Sequence, residues 1–442
     1  MYVADSRGTP APAVPPEQPA AVPGTPPGRR AALAPTVLAL GTVSLITDIS
    51  SEMVAAVLPL YLVAGLGLSP LGFGLLDGVY NGVGALVRLT GGHLGDRFGR
   101  HKTLAGLGYA LSALCKPLLL LAHTLPAIGA VLALDRTGKG LRTAPRDALI
   151  SLAAAPKDRG RAFGVHRAMD TAGALIGPVL AFLILRGAAD GYDAVFTVSA
   201  CVAALGVLVL VLFVPGRRPG ATGGPGTTGG AERADRPGVR GRPDPGEERV
   251  SLRASLGLLR RRDLRRTGLC ALLLGLCTVS DGFVFLLLQH ATRIADRWFA
   301  LLPLGTAAAF FLLALPLGRL ADRIGRGRVF LGGHLALLLA YGLLLAGGHH
   351  PALPYAVLLL HGGFYAATDG VLMAAAAGAV PEEHRGAGLA LVQTGQALAR
   401  FAAALGFGAA WTLWGARPAL GAAAVLLAAA VAVCARLRPA AT

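Results

Sequence analysis

Long apolar stretches, separated by short polar loops, run from Leu33 almost to the end of the chain. A helix needs ~20 residues to cross a bilayer, and each stretch reaches that length. The stretches are continuously apolar and lack the alternation of barrel strands. They predict an all-α membrane protein with twelve spanning helices, near 36–63, 71–91, 103–122, 126–148, 161–185, 194–214, 268–290, 298–318, 329–347, 353–377, 387–412 and 418–435.

The same pattern divides the chain into two groups of six helices. Residues 1–32 carry eight prolines and no apolar run, which predicts a disordered tail. The two helical groups occupy 33–215 and 267–436, and 437–442 forms a short C-terminal tail. Between the groups, 216–266 is rich in Gly, Pro and Arg, which indicates a flexible basic linker.

The two groups share an internal repeat. Gly92–Lys102 returns as Gly318–Arg328, at an offset of 226 residues (318 minus 92), with the Gly, Leu, Asp, Arg, Gly and Arg positions identical. A repeat in so apolar a chain is typical of transporters in which two related bundles move against each other around a central cavity.

Composition and charge agree with a membrane protein of defined orientation. Hydrophobic residues make up 54% and charged residues 15%, with a net charge of +17. The cations concentrate in alternate loops, which places both termini in the cytoplasm, and the abundance of Ala, Gly, Arg and Pro is typical of a GC-rich bacterial source. The basic run from Arg260 to Arg266 is interpreted as a lipid-facing loop, not a nucleic-acid site.

The sequence offers little for an enzyme or a metal. All five cysteines fall in apolar stretches, without metal-ligand spacing, and are expected to be buried. No phosphate-binding loop pattern and no nucleophile–base constellation is found, and the adjacent His349 and His350 lack further ligands. We therefore expect no cofactor and no catalysis.

Charged residues inside the spans are the candidates for transport, because each costs on the order of 2.5–3.5 kcal/mol at a helix centre. Asp48 and Glu52 lie four residues apart, on one face of the first helix. One of them is expected to hold a proton or to pair with Arg136 of the fourth helix. Three roles stay open for the two carboxylates: proton coupling, pinning of helices one and four, or substrate contact.

The fourth helix is unusually charged. By helical spacing, Arg136 and Lys139 are predicted to face the cavity, and Pro145 to disturb the helix near its inner end. An inner network is expected from Arg142, Arg146, Asp147, His166, Arg167 and Asp170, either as a gate or as a static ion-pair cluster.

The second half has fewer buried charges. Asp281, Asp369 and the polar stripe of Gln393, Gln396 and Arg400 are the candidates there, and each aspartate is expected to pair with Arg400. Asp77 and Arg88 of the second helix complete the set.

The Gly92–Lys102 stretch and its copy resemble the signature loops of the major facilitator superfamily, and the resemblance extends over about 33–436. It implies the fold of that superfamily, with loops that latch the two bundles in one state and release them in the other. The latch residues so implied are Gly92, Asp96, Arg97, Gly99, Arg100, Gly318, Asp322, Arg323, Gly325 and Arg326.

Two further stretches resemble motifs of the drug–proton antiporters in that superfamily. Arg136 to Gly140 is similar to their arginine–glycine motif, and Gly173, Gly177 and Pro178 are similar to their glycine–proline motif. A narrower resemblance, through Asp135–Asp147 and Gly164–Asp170, is to a bacterial branch of mostly uncharacterised permeases.

The expected function is proton-coupled export of a small organic molecule through the bacterial cytoplasmic membrane, by a protein that acts as a monomer. Transport of an organic anion without proton coupling is the alternative, and a non-transporting membrane sensor is a minor one.

Overall fold

The computed structural model describes residues 34–98, 101–155, 158–188, 191–215, 262–347, 350–378 and 385–437, with side chains except at 85, 86, 88–98, 262, 263, 374–378 and 385–391. The predicted N-terminal tail and most of the linker therefore lie outside the described residues.

The described chain is helical and contains no strand. In the first half the helices are α1 (Pro35–Leu60, continued by the π-helical turn Tyr61–Gly65), α2 (Pro70–Phe98), α3 (His101–Leu121), α4 (Leu125–Ala153), α5 (Arg159–Gly187) and α6 (Gly191–Phe213). In the second half they are α7 (Arg262–Leu276), α8 (Asp281–Thr292), α9 (Asp296–Phe299), α10 (Leu302–Ile324), α11 (Arg326–Ala346), α12 (Leu353–Gly378), α13 (Arg385–Trp414) and α14 (Ala416–Leu437). Counting α7 with α8, and α9 with α10, gives the twelve predicted spans.

Several predicted boundaries were wrong. The seventh span is not continuous, since helix is interrupted between Leu276 and Asp281, and α7 begins at Arg262 inside the predicted linker. The stretches Gly92–Phe98 and Gly318–Ile324, expected as loops, are the last turns of α2 and α10. The fourth helix, predicted to end near 148, continues past Pro145 to Ala153.

Hydropathy alone finds ten of these spans. Within the described part of the chain, ten helical segments are long and apolar enough to cross a membrane, and α2 and α4 are not among them. Both helices contribute polar side chains to internal cavities, where water or neighbouring helices satisfy groups that lipid could not.

Close packing of α1 on α5 organises the first half. A Cβ atom at Gly173 would lie 2.5 Å from the carbonyl oxygen of Leu45, and one at Gly177 would lie 2.9 Å from Cβ of Glu52. Small residues allow such close approach of membrane helices. The predicted motif glycines thus bring α5 against the face of α1 that carries the two candidate carboxylates.

The two halves touch at the end of the bundle predicted to face outward. The backbone of α2 meets that of α13, where a Cβ atom at Gly74 would lie 2.4 Å from the Ala404 carbonyl oxygen and one at Gly408 2.6 Å from the Pro70 carbonyl oxygen. Beside this crossing, the Phe283 ring of α8 packs on Phe73, with centroids 4.8 Å apart. An apolar contact therefore joins the halves at this end.

Candidate substrate and proton site

Two cavities adjoin inside the bundle. The central chamber, of 270 Å³, is lined by both halves, and the inner chamber, of 400 Å³, by α1, α2, α4 and α5 of the first half. Glu52, Tyr80 and Asn81 line both chambers. Polar walls of this kind, between related bundles, are what a transporter requires to bind a small molecule at mid-membrane.

Asp48 and Glu52 both bind cations of α4 at the wall of the inner chamber. Asp48 Oδ1 accepts from Arg142 Nη2 at 3.3 Å, and both side chains are almost fully buried. Glu52 Oε1 lies 3.6 Å from Lys139 Nζ, with a third of each side chain exposed. Each predicted carboxylate thus has its own cation.

Arg136 does not provide the ion pair that the sequence predicted. Among the described contacts, its guanidinium donates to the neighbouring Asp135, at 2.7 Å, and lies over the Tyr80 ring at 3.8 Å. Asp135 also accepts from Lys116 Nζ at 2.9 Å and from Ser112 Oγ at 2.6 Å. One carboxylate therefore holds two buried cations, and Arg136 still lines the inner chamber as expected.

The predicted inner network exists in part. Arg146 lies 3.0 Å from Asp147 and 3.7 Å from Asp170, and Arg167 lies 3.5 Å from Asp170. Arg142 belongs with Asp48, although Arg142, Arg146, Arg167 and Asp170 all line the same chamber. His166 is buried, and neither ring nitrogen has a hydrogen-bond partner in the described structure.

The central chamber has its own polar group. Asp281 accepts from the Tyr365 hydroxyl at 2.5 Å, and its Oδ1 lies 3.4 Å from Nε2 of His361. Arg400 lines the chamber and lies 3.8 Å from Asp369. The expected Asp369–Arg400 pair is present, whereas Asp281 binds His361 and Tyr365 instead of Arg400.

The other two residues of the predicted polar stripe, Gln393 and Gln396, line neither chamber. Gln393 is exposed and donates to Met373 Sδ at 3.6 Å, and Gln396 is half-buried. Asp77 lines the central chamber, and its buried Oδ2 has no hydrogen-bond partner among the described atoms. The Arg88 side chain lies outside the described residues.

The signature stretches can be followed only in the second half. In the first half, only the backbone is described at Gly92, Asp96 and Arg97, and Gly99 and Arg100 lie outside the described residues. In the copy, Gly318 lies within α10, Asp322 and Arg323 are exposed in its last turn, Gly325 ends it with φ +99°, and Arg326 begins α11. Their role as latches stays a prediction.

Sequence reasoning missed Lys116, Tyr80 and His361. Lys116 is a lone cation inside an apolar stretch, so the cost of burying charge could have identified it. His361 is a buried polar residue without a neighbouring charge in the sequence, and nothing local distinguishes it from other histidines.

Metal ligands and thiols add nothing to the site. Over the described residues, no three or more His, Cys, Asp or Glu side chains are grouped so as to hold a metal ion. The cysteines are free; Cys115, Cys270 and Cys434 are buried as expected, Cys277 is half-buried, and Cys201, contrary to expectation, is exposed on α6.

The fold and its paired chambers define a multi-pass membrane transporter. The sequence pattern of the Major Facilitator Superfamily matches residues 40–308 and 299–442, and the chain belongs to that family. The predicted all-α fold is thereby confirmed, and the protein is a secondary transporter, not an enzyme.

The known relatives do not name a substrate. An uncharacterised MFS-type transporter of Methanocaldococcus jannaschii is 29% identical over 310 residues, covering 69% of this chain and 70% of the relative. An uncharacterised protein of Mycobacterium tuberculosis (strain ATCC 25618 / H37Rv) is 35% identical over 174 residues, covering 39% of this chain and 40% of the relative.

Solved structures show the same fold. The nucleoside transporter NupG superposes with a TM-score of 0.73 at 12% identity, covering 91% of this chain and 98% of its own. A bacterial homologue of the human lysosomal transporter Spinster, inward-facing and unoccupied, superposes with a TM-score of 0.68 at 14% identity, covering 91% and 96%. At such identities the likeness concerns the fold alone.

Proposed function

We propose that this transporter exports a small organic molecule in exchange for protons across a bacterial cytoplasmic membrane. It acts as a monomer, with both termini in the cytoplasm. The central and inner chambers together hold the substrate, and the carboxylates of α1 carry the proton.

The observation that carries this proposal is the pairing of Asp48 with Arg142 and of Glu52 with Lys139, at a cavity wall. A proton on either carboxylate removes its negative charge and releases the α4 cation from the pair. A carboxylate whose charge is balanced by one movable cation is suited to coupling, because protonation changes the contact between two helices.

Glu52 has a position that links proton and substrate. It lines both chambers, and its side chain is one-third exposed, so a substrate in either chamber can reach it. Asp48 is more deeply buried and faces the inner chamber alone. The antiporter-like glycines Gly173 and Gly177 support the site by allowing α5 to press against both positions.

Transport by Asp48→Asn and Glu52→Gln, each reconstituted in proteoliposomes, tests the coupling. The probes are ethidium, a cation, and carboxyfluorescein, an anion. The wild-type protein is expected to accumulate one of them against its gradient only when a pH gradient is imposed. Each variant is expected to fall to the level of protein-free liposomes in this uphill assay, while downhill equilibration of the same probe continues.

Asp193→Asn is a matched control, because this carboxylate is exposed in the first turn of α6 and lines neither chamber. It should retain uphill transport. If Asp48→Asn and Glu52→Gln both still drive uphill transport, the assignment of the proton to α1 is wrong.

Organic anion transport without proton coupling is a second candidate. The described lining of the inner chamber carries the cations Arg136, Lys139, Arg142, Arg146 and Arg167 against the carboxylates Asp48, Glu52 and Asp170. Guanidinium and ammonium groups at a cavity wall can bind an anion by charge-assisted hydrogen bonds. Carboxyfluorescein uptake that rises with an inside-positive potential and ignores pH would favour this candidate.

A further inference from the structure

A histidine–carboxylate pair lies in the second half, away from the carboxylates of α1. His361 of α12 is 1% exposed, whereas its partner Asp281 of α8 is 49% exposed and lines the central chamber. The Asp281 carboxylate therefore stands between a fully buried imidazole and a cavity. This is the arrangement by which a proton from water can reach an otherwise sealed ring.

The break in the seventh span places Asp281 there. Residues 277–280 leave the helix, and α8 starts again at Asp281, with its side chain in the first helical turn. The backbone N–H of Val279 donates to the hydroxyl of the fully buried Tyr341 at 2.8 Å, which stabilises the break. At a helix start, the positive end of the helix dipole favours the carboxylate form of Asp281.

A hydroxyl faces the other nitrogen of the ring. His361 Nδ1 lies 3.3 Å from Thr306 Oγ1 of α10, and the ring packs against Phe285 and Phe364. An ionised Asp281 carboxylate can only accept, so the neutral ring carries its proton on Nε2, which donates to Asp281, while Nδ1 accepts from the Thr306 hydroxyl. A second proton on the ring gives an imidazolium that donates from both nitrogens.

We propose that His361 and Asp281 form a second proton site, filled from the central chamber. A proton from water enters at the Asp281 carboxylate, and the pair holds it as an imidazolium that donates Nε2–H to Asp281 and Nδ1–H to Thr306. On release, one proton returns to water through Asp281 and the ring is again neutral. The Tyr365 hydroxyl donates to the Asp281 carboxylate at 2.5 Å and holds it in place.

The charges around this pair come from several helices. Arg400 of α13, Asp77 of α2 and Asp369 of α12 are close enough to Asp281 to act on it electrostatically, and Glu52 of α1 lines the same chamber. Of these groups only Arg400 is cationic, so Asp77 and Asp281 of the central chamber and the nearby Asp369 share one fixed positive charge. An added proton on the pair reduces this imbalance.

This inference rests on the proposed function only for the use of the proton in transport, because the protonation itself can be measured without a substrate. The full chain is purified in detergent with ring-¹⁵N-labelled histidine, and long-range ¹H–¹⁵N correlations report the tautomer and charge of each ring. The His361 signals are assigned by their loss in His361→Gln. Spectra are recorded over about pH 5 to 8, and His361 is expected to change from a neutral ring to imidazolium as the pH falls.

Asp281→Asn is the decisive variant, since asparagine keeps the size of the side chain and removes its charge. There the His361 ring is expected to stay neutral over the same range. His334 is the matched control: it is also buried in the second half, but its Nδ1 lies 2.9 Å from the Phe330 carbonyl oxygen and it has no carboxylate partner in the described structure. Its signals should be the same with and without the Asp281 substitution.

A His361 ring that never becomes imidazolium in the wild-type protein overturns the proposal, as does one that titrates equally in Asp281→Asn. If His361→Gln does not fold, the His361 signals are assigned by comparing the wild type with Asp281→Asn. They are the histidine signals that change with pH in the wild type and no longer change in the variant. Failure of this test leaves the Asp48 and Glu52 transport results untouched, and failure of those transport results leaves the titration of His361 untouched.

Discussion

Replacing Asp135 by asparagine is expected to destabilise the protein more than replacing any one of the carboxylates that line the inner chamber. The carboxylate is buried and accepts from Lys116, Arg136 and Ser112, so asparagine leaves two buried cations without their anion. Removing one partner of a buried ion pair typically costs about 3–5 kcal/mol. Thermal unfolding, followed by a thiol-reactive dye that reaches the buried Cys115, Cys270 and Cys434 only after unfolding, measures the loss.

Charge balance can be restored by a second substitution. Lys116→Met removes one cation and keeps an apolar chain of similar length, so Asp135→Asn with Lys116→Met should be more stable than Asp135→Asn alone. Lys116→Met by itself leaves Asp135 paired with Arg136 and is expected to cost less than Asp135→Asn. An Asp135→Asn protein that unfolds at the wild-type temperature would show that this cluster is solvated.

A larger side chain at Gly408 of α13 is expected to separate the two halves where they are in contact. A Cβ atom at Gly408 would lie 2.6 Å from the Pro70 carbonyl oxygen and 3.2 Å from Cα of Leu71, and backbone atoms cannot turn aside as a flexible side chain can. Gly408→Val should therefore separate α2 from α13 at the predicted outer end. Spin labels on Leu121→Cys and Leu413→Cys, both exposed near that end in different halves, report the distance in a background without native cysteines.

The label distance is expected to increase in Gly408→Val and to stay unchanged in Gly406→Val. Gly406 lies on the same helix, and a Cβ atom there meets nothing within 4 Å, so this variant controls for the change in helix propensity. Gly74→Val should act in the same direction from the opposite side, since its Cβ would lie 2.4 Å from the Ala404 carbonyl oxygen. An unchanged distance in both Gly408→Val and Gly74→Val would mean that the contact does not hold the halves together.

Much of the fold could be predicted from the sequence because each helix that crosses a membrane must be apolar over ~20 consecutive residues. Twelve apolar stretches indicated twelve spans, and the repeat of Gly92–Lys102 at Gly318–Arg328 indicated two related halves. The break after Leu276 could not be predicted, since residues 277–280 contain neither glycine nor proline. There the backbone N–H of Val279 donates a hydrogen bond to the hydroxyl of Tyr341, which lies 62 residues further along the chain.

The candidate site was only partly predictable. The cost of burying charge identified Asp48, Glu52, Arg136, Lys139 and Arg142 as residues that need a partner or a function. It could not say which carboxylate meets which cation, and the predicted partner, Arg136, binds its neighbour Asp135 instead.

Hydropathy and repeats act along the chain, so the sequence by itself determined the class of protein, the number of spans and the set of buried charges. Only the tertiary structure decided the pairs, among them Asp48 with Arg142, Glu52 with Lys139 and Asp281 with His361. The physical reason is that adjacent residues of a helix point about 100° apart. A small rotation of one helix against another therefore changes every partner, and that rotation is set by packing across the bundle.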